Sequence, residues 1–197
     1  MPNESAFTNE NLTEMFENSL EKFPVFPEAA EIARRDALGN LWIIGGFVYR
    51  NLVREIYGRD SFGDSLDIDF LIENHPGREL YLPEGWTHFI TRYGNVGLSK
   101  DNVRTDLNYL YEFPSLRCLK SPGIDDFVRR NTLNIQCIVY SMNDNLVFGQ
   151  TGIQSLKEKM ICVNDLGEIT KQAEVEGTTI KHLVKRKAHE LGFDYKL

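Results

Sequence analysis

The run Leu66-Asp67-Ile68-Asp69-Phe70-Leu71-Ile72 constrains this chain more than any other stretch. Apolar and acidic side chains alternate with a period of two, a pattern that a strand satisfies and a helix does not. Leu66, Ile68, Phe70 and Ile72 then share one face and need a core to cover them. Asp67 and Asp69 share the other face, with Cα atoms roughly 6 to 7 Å apart. Two negative charges at that spacing repel unless a divalent cation lies beside them.

A second signal lies upstream. Leu41-Trp42-Ile43-Ile44 is a short apolar run followed by Gly45-Gly46, the pattern of a buried strand entering a tight turn. A helix is expected next, with Val48, Leu52 and Ile56 inward and Gly58 past its end. Glycine lets backbone N–H groups approach a phosphate closely, and a helix N-terminus adds a favourable dipole. Downstream, Asp106 in Arg104-Thr105-Asp106-Leu107-Asn108 is a third acid on an alternating run, which a neighbouring strand of the same sheet can bring beside the pair. Three acids can hold two ions for an in-line displacement at phosphorus.

The periodicities predict helices over residues 11–23, closed by Pro24 and Pro27, and 28–38, ending at Gly39. They predict strands over 87–93, 96–98 and 103–110, forming a meander after the acidic strand, and a strand over 134–140 before a hairpin turn at Asn143-Asp144-Asn145. Residues 123–130 read as a helical or turn element, 153–160 as a helix and 178–191 as a basic amphipathic helix. The expected class is α+β, a short mixed sheet with helices packed against it. One domain is expected over 1–197: front helices to 40, a catalytic core over 41–163 and a C-terminal helix over 164–197.

Composition excludes other classes. With 42% hydrophobic and 26% charged residues the chain has enough apolar material to fold. Its longest apolar stretch, 41–49, holds two glycines and falls short of the roughly 20 residues of a membrane helix. Residues 1–10 are polar and acidic, without the pattern of a secretory signal, so a cytoplasmic protein without membrane partners is expected. Cys118, Cys137 and Cys162 are too widely and unevenly spaced for a disulfide framework or zinc ribbon and read as reduced core or near-core residues. A net charge of −7 disfavours long nucleic acid as a partner. His182 and His189, His88 and Tyr93, and the loop acids Asp60 and Asp64 carry no recognisable ligand or catalytic pattern.

These residues resemble the DNA polymerase β-like nucleotidyltransferases, and among them the head domain of poly(A) polymerases and CCA-adding tRNA nucleotidyltransferases. Ile43 to Arg50 is similar to the family's Gly-Gly-x-Val-Arg-Asp motif, and Leu66 to Phe70 to its acidic strand. Val128-Arg129-Arg130-Asn131-Thr132-Leu133-Asn134-Ile135 is similar to its Arg-Arg-Asp-x-x-x-Asn segment, and residues 149–160 to its glycine turn and short helix. The resemblance covers about residues 41–163. It implies a nucleotidyltransferase fold, Mg2+ (or Mn2+) held by Asp67 and Asp69 with Asp106, and an NTP such as ATP on Gly45, Gly46, Arg50, Arg129, Arg130 and Asn134. The implied activity is transfer of a nucleoside monophosphate from an NTP to an unidentified hydroxyl, on a small molecule, an RNA end or a protein, with release of pyrophosphate. Tyr49 stands at the motif arginine and Asn131 at the motif aspartate, departures that suit the alternative of a non-catalytic nucleotide-binding or regulatory module. No long helical body follows for holding tRNA or mRNA, so a tRNA-maturing role is not expected.

Overall fold

The computed structural model describes residues 4–63, 66–75, 77, 80–91, 94–113 and 115–197. Helix α1 (Asn9–Leu20) starts where the Thr8 hydroxyl accepts a hydrogen bond from the Asn11 N–H, and it buries Leu12 and Phe16. Helix α2 (Phe26–Asp36) has proline in its first turn and buries Ala29, Ala30, Ile32 and Ala33. Strand β1 (Leu38–Ile44) begins three residues earlier than the apolar run at Leu41, since Leu38 already pairs with Asn74. Helix α3 (Gly46–Tyr57) closes on Gly58, which adopts φ +65°. Strand β2 (Leu66–Asn74) carries the acids.

The meander consists of β3 (Thr87–Ile90), β4 (Val96–Lys100) and β5 (Val103–Tyr109). It is followed by α4 (Ile124–Arg129), β6 (Val139–Ser141), β7 (Leu146–Phe148), α5 (Gln150–Glu158) and β8 (Met160–Cys162). The chain continues as α6 (Leu166–Val175), α7 (Ile180–Leu191) and β9 (Asp194–Lys196). Seven strands form one mixed sheet in the order β3-β4-β5-β2-β1-β6-β7, and β8 pairs with β9 separately. Only β2 and β5 run parallel within the large sheet.

Alternation sorts the sheet into two faces. Ile68, Phe70 and Ile72 point into the main core with α1, α2 and α3. Leu71 faces the other way and joins Trp42, Ile44, Leu110, Leu116, Phe127 and Val139 in a second cluster, so α4 packs on the acid-bearing face. Phe47, fully buried at the start of α3, is ringed by Phe16, Phe23, Phe26 and Phe62 with centroids 5.1 to 6.2 Å away. These contacts pin the N-terminus of α3 to the core.

Several expected elements differ. Within the meander it is the last strand, β5, that pairs with β2 and so brings Asp106 beside the acidic pair. The strand expected over 134–140 is a short 3-10 turn over Asn134–Cys137 followed by only three strand residues; the Ile135 and Leu133 N–H groups donate to the Asn134 and Gln136 side chains instead of to a neighbouring strand. The helix over 153–160 stops at Glu158, since Lys159 turns to φ 52° and Met160 opens β8. Cys118 is exposed rather than part of the core. Tyr93 and Asp64 lie outside the described residues. Among the described residues no helix is long and apolar enough to cross a membrane.

Candidate active site

The register of β2 against its neighbours assembles the acids. Asp67 pairs with Arg104 and Asp69 with Asp106 on parallel β5, while Ile44, the last residue of β1, pairs with Asp69 across the other edge. The three carboxylates therefore share one face at the centre of the sheet. Asp67 is exposed to the cleft there, and Asp69 and Asp106 are half-buried. The cleft has a volume of about 530 Å3 and is lined by Asp67, Asp69, Phe89, Thr91, Arg104 and Asp106.

The Gly-Gly turn stands against Asp69. Gly45 adopts φ +70°, and a Cβ on it would sit 2.6 Å from Oδ2 of Asp69, so a side chain there meets both backbone strain and a carboxylate. A Cβ on Gly46, the first residue of α3, would sit 3.1 Å from an amino nitrogen of Arg50, one turn along the same helix. Arg50 thus stands near the acids. Its Nε donates to Oε1 of Glu190 at 2.7 Å, and Lys187 of α7 donates to Oε2 of the same carboxylate at 2.7 Å. Lys187 also lies 5.3 Å from the ring centroid of Tyr49, which is buried. A bridge from α7 therefore brings a second cation to the segment where the motif arginine is missing.

Electrostatics reflect the crowding. The Asp69 carboxyl is pushed up to about 7, first by burial and then by the negative charges of Asp106 and Asp67, against the opposing pull of Arg50. Asp106 is also raised, by burial and by Asp67, with Arg104 opposing. The Arg50 guanidinium is held above its ordinary range: burial works against the charge, and Tyr49, Glu190 and Asp67 outweigh it. Glu190 is held low despite burial, because Lys187 and Arg50 both stabilise its charge.

This chemistry fits a divalent cation. The donors are carboxylate oxygens only, suited to a hard ion, and their mutual repulsion is what such an ion relieves. Among the described residues no three or more His, Cys, Asp or Glu side chains converge closely enough to form a metal cage by themselves. Mg2+ is usually completed by water and substrate phosphate rather than by protein alone.

The remaining expected residues lie elsewhere. Arg129 is exposed at the end of α4, with its carbonyl accepting from Asn164. Arg130 donates to the Ser115 carbonyl at 2.9 Å and so ties down the loop before α4. Asn134 donates to the Met160 carbonyl and accepts from the Ile135 and Cys162 N–H groups, each at 2.9 Å. None of these three lines the cleft with the acids. Asn131 donates to the Phe127 carbonyl, and Asp60 accepts from the Phe62 N–H. His182 and His189 are exposed on α7. Sequence reasoning missed Phe89, Arg104, Lys187 and Glu190; of these, Arg104 alone had a local signal, lying two residues before Asp106 on the same strand face.

The fold is that of a nucleotidyltransferase domain. Over most of its length the chain matches CCA-adding and tRNA-processing enzymes at low identity. A tRNA-processing enzyme in an apo form matches with a TM-score of 0.61 and 19% identity over 90% of this chain and 44% of that one. A CCA-adding enzyme with ATP matches with a TM-score of 0.60 and 18% identity over 91% and 41%. A CCA-adding enzyme with CTP matches with a TM-score of 0.54 and 17% identity over 81% and 38%. The chain spans less than half the length of these structures. No protein-family model and no curated protein matches the sequence.

Proposed function

We propose that the protein is a metal-dependent nucleotidyltransferase that moves a nucleoside monophosphate from an NTP to a hydroxyl acceptor. The observation that carries this reading is the meeting of Asp67, Asp69 and Asp106 on one sheet face beside the Gly45-Gly46 turn. Similar solved structures hold ATP or CTP, which supports an NTP as donor. Asp67 and Asp69 would hold Mg2+ or Mn2+, with Asp106 as a third ligand; when bound, such an ion would supply charge neutralisation for the triphosphate and acidify the acceptor hydroxyl. The backbone at Gly46 and the N-terminus of α3 receive the triphosphate, with Arg50 alongside.

In the transfer, the acceptor oxygen forms a bond to the α-phosphorus. The bond from that phosphorus to the oxygen bridging to the β-phosphate breaks, and pyrophosphate leaves with the electron pair. Asp106 accepts the hydroxyl proton and passes it to solvent. Arg129 offers an exposed guanidinium to the nucleotide, whereas Arg130 and Asn134 contribute contacts only if substrate reorganises their present hydrogen bonds. Those bonds and the buried Tyr49 are the observations that favour the second reading, a nucleotide-binding module without turnover. Incubation with each α-labelled NTP, Mg2+ and cell extract tests the choice: metal-dependent label transfer supports the enzyme, and nucleotide binding without transfer to any acceptor supports the module.

A further inference from the structure

The β3-β4-β5 wing carries, on the acid-bearing face, side chains that the transfer chemistry leaves unused. Phe89 pairs with Gly97, Gly97 with Asp106, and Asp106 with Asp69, so these four positions form one row across the sheet. A Cβ on Gly97 would collide with the Phe89 ring, so the ring lies over the position where a side chain is absent. Arg104 meets it there, with Cζ 5.1 Å from the ring centroid.

Arg104 is the register partner of Asp67 and lies two residues from Asp106. Among the described residues it nevertheless makes no ion pair or hydrogen bond with either; its contact is the aromatic ring. An exposed guanidinium that stands among carboxylates and rests on a ring instead keeps its planar fork of N–H donors for an anion from outside. The cleft, about 530 Å3, falls in the usual range for small-molecule sites.

We infer that this wing is the acceptor subsite, and that it takes a small hydroxyl-bearing molecule combining a planar ring with a phosphate, of which a nucleoside 5′-monophosphate is the simplest example. The ring lies against Phe89, the phosphate meets Arg104, and the hydroxyl reaches Asp106. The last nucleotide of an RNA 3′ end offers the same chemistry; the chain's net charge of −7 favours the small molecule. The inference rests on the nucleotidyltransferase reading.

The experiment is calorimetry on the full chain saturated with Mg2+ and α,β-methylene-ATP, titrated with AMP, adenosine, ribose 5-phosphate or an adenine hexaribonucleotide. AMP is expected to bind, adenosine and ribose 5-phosphate at least tenfold more weakly, and the hexamer no more tightly than AMP. Phe89→Leu and Arg104→Gln should each weaken AMP at least tenfold and leave the ATP analogue within twofold. Because Arg104 is exposed, its variant keeps the fold. AMP that does not bind while the analogue does, or that binds both variants like wild type, overturns the subsite and leaves the nucleotidyltransferase reading standing. An analogue that itself fails to bind overturns that reading and the subsite with it. A hexamer bound tenfold more tightly than AMP overturns the small-molecule assignment and gives the wing to an RNA end.

Discussion

Strands β1 and β2 bury residues on both faces, whereas β3 carries no buried residue along its whole length. Residues Leu41 to Ile44 of β1 are all buried, and β2 buries Ile68 and Phe70 to Ile72. The donor side of the cleft, with Gly45, Gly46 and Asp69, is thus anchored in the main core through α3. On the other side Arg104 is exposed on β5, a strand that buries Val103, Leu107 and Tyr109 in the core, and Phe89 hangs on the cross-strand pairing of β3. A site divided in this way holds one reactant on rigid backbone and meets the other with side chains free to adjust.

The sharpest test of that division is chemical. Asp69→Asn should lower label transfer by at least about a thousandfold, and Asp106→Ala should lower turnover by roughly a hundredfold or more while NTP-Mg2+ affinity stays within about tenfold. Rapid-quench assays with parallel calorimetry read both; equal loss of nucleotide affinity in the two variants would erase the functional boundary between the halves.

Truncating one ring in each half compares their packing. Phe70→Ala, fully buried on β2, should cost about 3 to 5 kcal/mol in urea unfolding, and Phe89→Ala, half-buried on β3, about 1 kcal/mol. Similar losses would show that β3 is as firmly built as β2.

Linkage separates the halves at a finer scale. Folded Asp69 keeps its proton up to about pH 7 against an ordinary value of 3.8, so the folded state binds more protons between those values. Metal-free stability should therefore fall as pH rises from about 4 to 7 and flatten above. Relative to wild type, Asp69→Asn should be about equal at pH 4 and roughly 4 kcal/mol more stable at pH 8. Parallel stability curves for the two proteins from pH 4 to 8 would remove the burial and repulsion argument. A ligand test on the native chain is smaller still than the pH effect: Mg2+ with an NTP at ten times its Kd should add about 1.4 kcal/mol of stability, read as a rise in Tm. No rise with any of the four NTPs would count against a donor site.

The acidic strand and the Gly-Gly turn were legible because each is local. One face of β2 must be apolar, and a positive φ at Gly45 needs glycine. The placement of β5 was less legible: Asp106 meets Asp69 only because β5 runs parallel to β2, which no local pattern encodes. Phe89 escaped notice for the same reason, since its neighbour in the row is a glycine with no side chain to signal the contact. Strands β8 and β9 have three residues each and β9 is exposed, so neither leaves an alternation to read. Helix α6 did carry a signal, Asp165 three residues before Glu168, whose N–H it caps. Asn134 was legible as a polar residue with a task; its three hydrogen bonds assign it to joining the turn before β6 to β8.

The bridge from Arg50 to Glu190 joins residues 140 positions apart in the chain. Contacts of such long range carry a large loop-closure cost, so they tend to form late in folding. During synthesis the acids and the glycine turn emerge well before α7, and until Glu190 follows, Arg50 lacks the partner that holds it in place. Activity should therefore lag behind collapse of the central strands in a refolding experiment, and the last turns of α7 set the delay.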